Sequence, residues 1–114
     1  MVRKWSIYWV NHDPIIGSEQ SGVRPALIIS NDNVNQILPV VTVLPITSIK
    51  EDTRVYPTEI ELSKKASGLS KMSTALVHQI RTVSKLRIGE KCGEVIENEM
   101  KYVINQAMRD YFEL

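Results

Sequence analysis

Gly17 to Thr47 reads GSEQSGVRPALIISNDNVNQILPVVTVLPIT, and this stretch decides the fold. It begins as a glycine-bounded polar loop, Gly17-Ser18-Glu19-Gln20-Ser21-Gly22. Arg24-Pro25 then leads into the apolar run Ala26-Leu27-Ile28-Ile29, which closes on Ser30-Asn31-Asp32. A second apolar run, Val40 to Leu44, ends in Pro45-Ile46-Thr47. Short apolar runs bounded by Gly, Pro, Asn and Ser predict two strands. Arg24 and Thr47 are expected to come from loops at the strand ends, where a scaffold usually presents functional groups.

Working outward, Ser6 to Val10 predicts a first strand, rich in aromatic and branched residues. Trp5, Ile7 and Trp9 fall on one face by the period of two, and packing is the ordinary role of such tryptophans. His12-Asp13-Pro14 starts a long loop. The second strand is expected over Ala26 to Ser30, a helical turn around Asn31 to Gln36, and the third strand over Val40 to Ile46. Ser48 to Pro57 reads as a polar loop containing Lys50, Glu51, Asp52 and Arg54. Thr58 to Leu62 alternates polar and apolar residues, which predicts a half-buried fourth strand. Ser63 to Ser70 reads as a basic, glycine-containing loop.

Ser73 to Val83 predicts a bent fifth strand with Ala75, Val77, Gln79 and Arg81 on one side. A turn follows over Lys85 to Gly89, then an extended piece from Gly93 to Ile96. At the C-terminus Met100, Val103, Ile104, Ala107, Met108, Tyr111 and Phe112 recur at intervals of three and four, the signature of an amphipathic helix. Asn98 suits its N-cap and Glu99 its first turn. Several short strands with one terminal helix make the fold α+β, or a small helix-capped barrel.

A chain of 114 residues reads as a single domain, 1–114. Its net charge of +1 gives no global signature of nucleic-acid binding, so basic residues would have to gather locally. Arg54, Lys64, Lys65 and Lys71 are available for that, although solvation is the commonplace role of each. The lone Cys92 excludes an intrachain disulfide and a Cys-based zinc site, fits a reducing cytoplasm and reads as a small buried residue. After Met1-Val2-Arg3-Lys4 the apolar stretch is broken by Ser6 and ends at Asn11-His12-Asp13, so no signal-peptide core is expected. No stretch has the length of a membrane span. No cofactor or metal is implied: His, Cys, Asp and Glu show no ligand spacing, and GxSxG and P-loop motifs are absent. Nor does the spacing of His12 and His78 mark them as an acid–base pair.

GSEQ, RPALIIS, PIT and HQIRTV, in this order and at these separations, resemble the MazF/PemK/Kid toxins of bacterial toxin–antitoxin pairs, from Ile7 to the C-terminal helix. The resemblance implies an SH3-like barrel of the CcdB/PemK type that forms a homodimer in the cytoplasm. It also implies metal-independent cleavage of single-stranded RNA, leaving a 2′,3′-cyclic phosphate and a 5′-hydroxyl and so stopping translation. A cognate MazE-like antitoxin, with a disordered acidic and apolar segment, would hold the enzyme silent.

Arg24 and Thr47 match the family's catalytic arginine and threonine. RNA carries its own nucleophile, so an enzyme need only activate the 2′-OH, stabilise the phosphorane and protonate the leaving oxygen. A guanidinium fork suits the second task, but a group that stays protonated makes a poor general base. His78 stands where the family often has an acidic residue, proposed as the base in the Kid branch, and an imidazole can serve in that role. By match to family positions, Gly17, Ser18, Glu19, Asn31, Ser73 and Gln79 are candidates for substrate contacts. Each residue also has a plain structural reading: Arg24 as a rim residue, Thr47 as a strand-end hydroxyl, His78 as an unspecialised strand histidine. Two rivals keep the fold without the chemistry, a CcdB-like poison of DNA gyrase and an inert SH3-like interaction module.

Overall fold

The computed structural model describes residues 1–49 and 56–114. Lys50, Glu51, Asp52 and Arg54 of the expected polar loop therefore lie outside the described residues. The strands are β1 (Ser6–Asn11), β2 (Val23–Ile28), β3 (Val40–Ser48), β4 (Glu59–Leu62), β5 (Ser73–Leu76), β6 (Arg81–Ser84) and β7 (Ile88–Glu94). The helices are α1 (Asp32–Ile37), α2 (Lys64–Ser67) and α3 (Asn98–Phe112). The strands form one antiparallel seven-stranded sheet in the order β4-β5-β3-β2-β1-β7, with β6 also paired to β3. The order ends at β4 and β7 without closing, so the fold is mainly β and barrel-like, with the expected helix at its C-terminus.

The apolar runs are continuous because β2 and β3 are covered on both faces. Leu27, Leu44 and Ile46 join Ile7, Leu62, Ala75, Val77, Val95 and Ile104 in the main core. Ala26, Ile28, Val41 and Val43 join Val10 and Val83 in a second cluster on the other side. β1 also contributes to both clusters, and its pairing with β7 slips between Ile7 and Tyr8 and again before Val10. The expected tryptophan face is corrected accordingly. Trp5 precedes the strand at φ 74 and Trp9 is 43% exposed, leaving Ile7 alone of the three fully buried.

The single bent strand expected over Ser73 to Val83 is two strands on one edge of β3. β5 pairs with Ile46–Ser48, and β6 pairs with Val40–Val43. Between them Val77–Gln79 forms a 3-10 turn beside the part of β3 that holds Pro45, which has no N–H to give a ladder. Ala75, Val77, Gln79 and Arg81 therefore do not share one face. The expected loop at Ser63 to Ser70 contains α2. Ser63 Oγ accepts from Ala66 N at 3.0 Å at its start, and Gly68 ends it at φ 73. α2 seats on β7 at Gly93, where any Cβ would strike the Ser67 carbonyl.

α3 is anchored by Ile104, which is fully buried in the main core. Replacing it by Ala would cost about 2–5 kcal/mol. Glu97, not Asn98, is its N-cap; the Glu97 carbonyl accepts from Lys101 N at 3.1 Å without side-chain help. Only part of the apolar stripe is covered, since Tyr111 and Phe112 remain 43% and 50% exposed. Cys92 is half-buried, and desolvation pushes its thiol pKa up. No helix among the described residues is long and apolar enough to cross a membrane.

Candidate active site

Arg24 is the second residue of β2, paired with Val10 of β1, and Thr47 pairs with Thr74 of β5. Both residues stand on strands, which corrects the expectation of strand-end loops. The β2–β3 ladder runs from Ile28 opposite Val43 to Ala26 opposite Pro45. Continued along the same register, it brings Arg24 level with Thr47, and residues level across a sheet share a face. Both line a cleft of about 230 Å³ together with Trp9, Ser48, Lys71 and Ser73.

Arg24 Nε donates to the Ser21 carbonyl at 2.9 Å, and its terminal nitrogens make no other hydrogen bond among the described residues. The side chain is thus braced while the edge of the fork stays available, which suits phosphate oxygens. Thr47 is half-buried and lines the cleft. Ser73 is 4% exposed and its Oγ donates to the Lys71 carbonyl at 2.9 Å, so it shapes the turn that carries the exposed Lys71. Trp9 and Ser48 escaped the sequence reading. Trp9 was assigned to packing, and a serine at the end of a strand carries no distinguishing pattern.

His78, Gln79 and Glu19 line a separate depression of about 200 Å³ with Gln20, Pro45 and Arg81. His78 Nδ1 lies 2.7 Å from Thr58 Oγ1. With Nδ1–H donating to that hydroxyl, Nε2 carries the free lone pair that a general base requires. Gln79 ties down the polar loop: its Nε2 donates to the Ser18 carbonyl at 3.3 Å, and its Oε1 accepts from Gln20 N at 3.4 Å. Glu19 Oε1 accepts from Ile16 N at 2.6 Å within the same loop. Gly17 at φ 60 and Gly22 at φ 77 hold left-handed conformations, which is why glycines bound this loop.

The structure thus gathers Glu19, His78 and Gln79 around one depression, with Ser18 bonded to Gln79 and Gly17 in the same loop, and Arg24, Thr47 and Ser73 around another. Asn31 belongs to neither. It caps α1, its side chain accepting from Asn33 N at 2.7 Å, and it follows the end of β2 opposite to Arg24, about 20 Å along an extended chain. Among the described residues the one ion pair is Lys91–Glu94 at 2.7 Å. Arg24, Arg81 and Arg87 instead donate to backbone carbonyls and form no ion pair among the described residues. A modest net charge of +1 conceals this local excess. No group of three or more His, Cys, Asp or Glu able to hold a metal occurs among the described residues.

An open antiparallel sheet with a C-terminal helix, and an arginine and a threonine lining one surface cleft, defines a small mainly-β protein with a basic cleft. Residues 3–112 match the family described as PemK-like, MazF-like toxin of type II toxin-antitoxin system, and the chain belongs to that family. It is 41% identical over 105 residues to the endoribonuclease MazF of Staphylococcus epidermidis, covering 92% of this chain and 87% of that protein. Its fold is similar to that of MazF from Deinococcus radiodurans, with a TM-score of 0.80 at 23% identity, covering 97% and 96% of the two chains. The Mycobacterium tuberculosis toxin MazF-mt6 gives a TM-score of 0.76 at 24% identity, covering 96% and 97%.

Proposed function

We propose that this chain, working as one PemK/MazF-like toxin domain over residues 1–114, is a metal-independent endoribonuclease of the cytoplasm that cuts single-stranded RNA. Family membership and the 41% identity to an endoribonuclease support the activity. The observation that carries the site is that Arg24 and Thr47 line one cleft, the terminal nitrogens of the guanidinium having no hydrogen bond among the described residues. A scissile phosphate in the cleft would meet the Arg24 fork and the Thr47 hydroxyl on its non-bridging oxygens, and both interactions strengthen as the phosphorane gains charge. Lys71 adds a cation at the rim, and Trp9 offers an indole face for a base.

The ribose 2′-OH attacks the phosphorus, its proton passing to a base. The leaving 5′ oxygen is protonated, giving 2′,3′-cyclic phosphate and 5′-hydroxyl ends. His78 is the proposed base. Because it lies in the neighbouring depression, it acts only on a strand that spans both, held there by Glu19, Gln79 and the Gly17–Ser18 backbone. Purified protein in EDTA is expected to cut a long single-stranded RNA at a limited set of sites with those end groups. RNA left intact, or cut to 5′-phosphate ends, overturns the reading.

The same proposal includes a homodimer and a cognate antitoxin. The exposed Tyr102, Val103 and Tyr111 of α3 form an apolar groove with Ile60 that a second copy would cover. Sedimentation showing only monomer at micromolar concentration contradicts it. A Mycobacterial endoribonuclease of the same fold, with a TM-score of 0.79 at 21% identity, has been solved with its cognate antitoxin. Here the antitoxin segment is expected to be acidic and apolar, and to compete with RNA for the arginine-rich surface.

A further inference from the structure

His12 is fully buried, yet neither ring nitrogen has a hydrogen-bond partner among the described residues. An unsatisfied buried imidazole costs stability, and its persistence requires an explanation. The main chain of the same residue is fully engaged. Arg81 donates to the His12 carbonyl at 3.0 Å, and His12 N donates to the Gly22 carbonyl at 2.9 Å. Gly22 N in turn donates to Asp13 Oδ1 at 3.1 Å, and two residues later Arg24 braces on Ser21. Arg87 clamps the same segment through the carbonyls of Asn11 and Asp13.

We propose that Arg81 and His12 are positioning residues for the reaction at Arg24, tying the turn that carries His78 and Gln79 to the strand end that carries Arg24. The proposal rests on the ribonuclease reading for its consequence in rate. Both depressions border β3, and the tie adds a second link between them, so it helps to set where the base stands relative to the phosphate site. A misplacement of about 1 Å between such groups is enough to cost about 10²-fold in rate.

The imidazole makes the tie sensitive to acid. It faces Arg24 from β2, Arg81 from β6 and Arg87 from the turn before β7, with Asp13 the carboxylate nearby. Desolvation first, then the charges of Arg81, Arg24 and Arg87, hold its pKa below the ordinary 6.5, while Asp13 opposes them. The unfolded chain takes up this proton more readily than the folded one. Stability from a neutral His12 is therefore complete above about pH 6.5 and declines as pH falls below it. Protonation would place a fourth positive charge among three guanidiniums and open the segment from residues 11 to 24.

Amide hydrogen exchange at His12 and Gly22, followed against pH and paired with single-turnover RNA cleavage, tests this. Arg81→Gln is expected to lose about tenfold or more of the protection at both amides, the worth of about one lasting hydrogen bond, and to lower kcat more than it raises KM. Arg81→Lys should recover part of each. His12→Leu should keep the protection and abolish its decline below about pH 6.5. Unchanged protection at both amides in Arg81→Gln, or a pH response that survives in His12→Leu, overturns the proposal. Exchange behaving as described in a parent that cleaves no RNA leaves the tie standing and removes the ribonuclease reading.

Discussion

The Arg24–Thr47 cleft and the His78–Gln79 depression both border β3, but they are made of different material. The cleft is built on paired strands, with Arg24 on β2, Thr47 on β3 and Ser73 on β5, each held by a backbone ladder. The depression is built from a 3-10 turn and a glycine-bounded loop, held by side-chain bonds at 2.7 to 3.4 Å. A strand delivers its side chain in a fixed direction, whereas a turn and a loop can adjust to a strand of RNA as it arrives. Charge stabilisation gains most from groups fixed before the reaction, and substrate selection tolerates groups that settle on binding. The structure thus assigns rigidity to the place where the phosphorane would form.

That contrast yields graded expectations. His78→Gln should lower the cleavage rate by about 10²-fold or more, the usual scale for losing a general base. His78→Asp should recover part of the rate. A parent-like rate in folded His78→Gln would reduce the turn-built depression to a binding role. Next in size, Thr47→Val should cost about tenfold in kcat with little change in KM, as expected for one hydrogen bond made chiefly in the transition state. An equal loss in KM alone would move Thr47 from catalysis to binding. The smallest effect belongs to Asn31→Ala. It should leave cleavage unaltered and remove about 1 kcal/mol of stability in urea, the worth of an N-cap. A large loss of cleavage would return Asn31 to the site, through a partner subunit.

The strand-built half was legible in the sequence because its rules are local. Unbroken apolar runs announced β2 and β3, and the i, i+3, i+4 recurrence announced α3. Arg24 and Thr47 were found through their motifs, although the strands extend past both residues and were read as ending short of them. What escaped depended on pairing between distant segments. Nothing around Ser73 to Val83 says that the chain leaves the sheet at Val77, because the cause lies partly across the ladder at Pro45. Trp9 read as a packing residue because the slips of β1 against β7 cannot be seen within β1 itself. His12 looked like an ordinary loop histidine. Its burial goes with Arg81 docking on its carbonyl and Arg87 on those of Asn11 and Asp13, both about seventy residues away.

The central claim is that the strand-built cleft is the seat of charge stabilisation, with Arg24 as its principal cation. Arg24 is half-buried and, among the described residues, the one hydrogen bond of its side chain is to Ser21, so truncating it should spare the fold. The most direct measurement is the single-turnover cleavage rate of Arg24→Ala in EDTA, on RNA with defined ends, beside a check that its thermal unfolding matches the parent. The account predicts a folded protein whose rate falls by about 10²-fold or more, with the loss in kcat rather than KM. A folded Arg24→Ala that cuts at the parent's rate would contradict it.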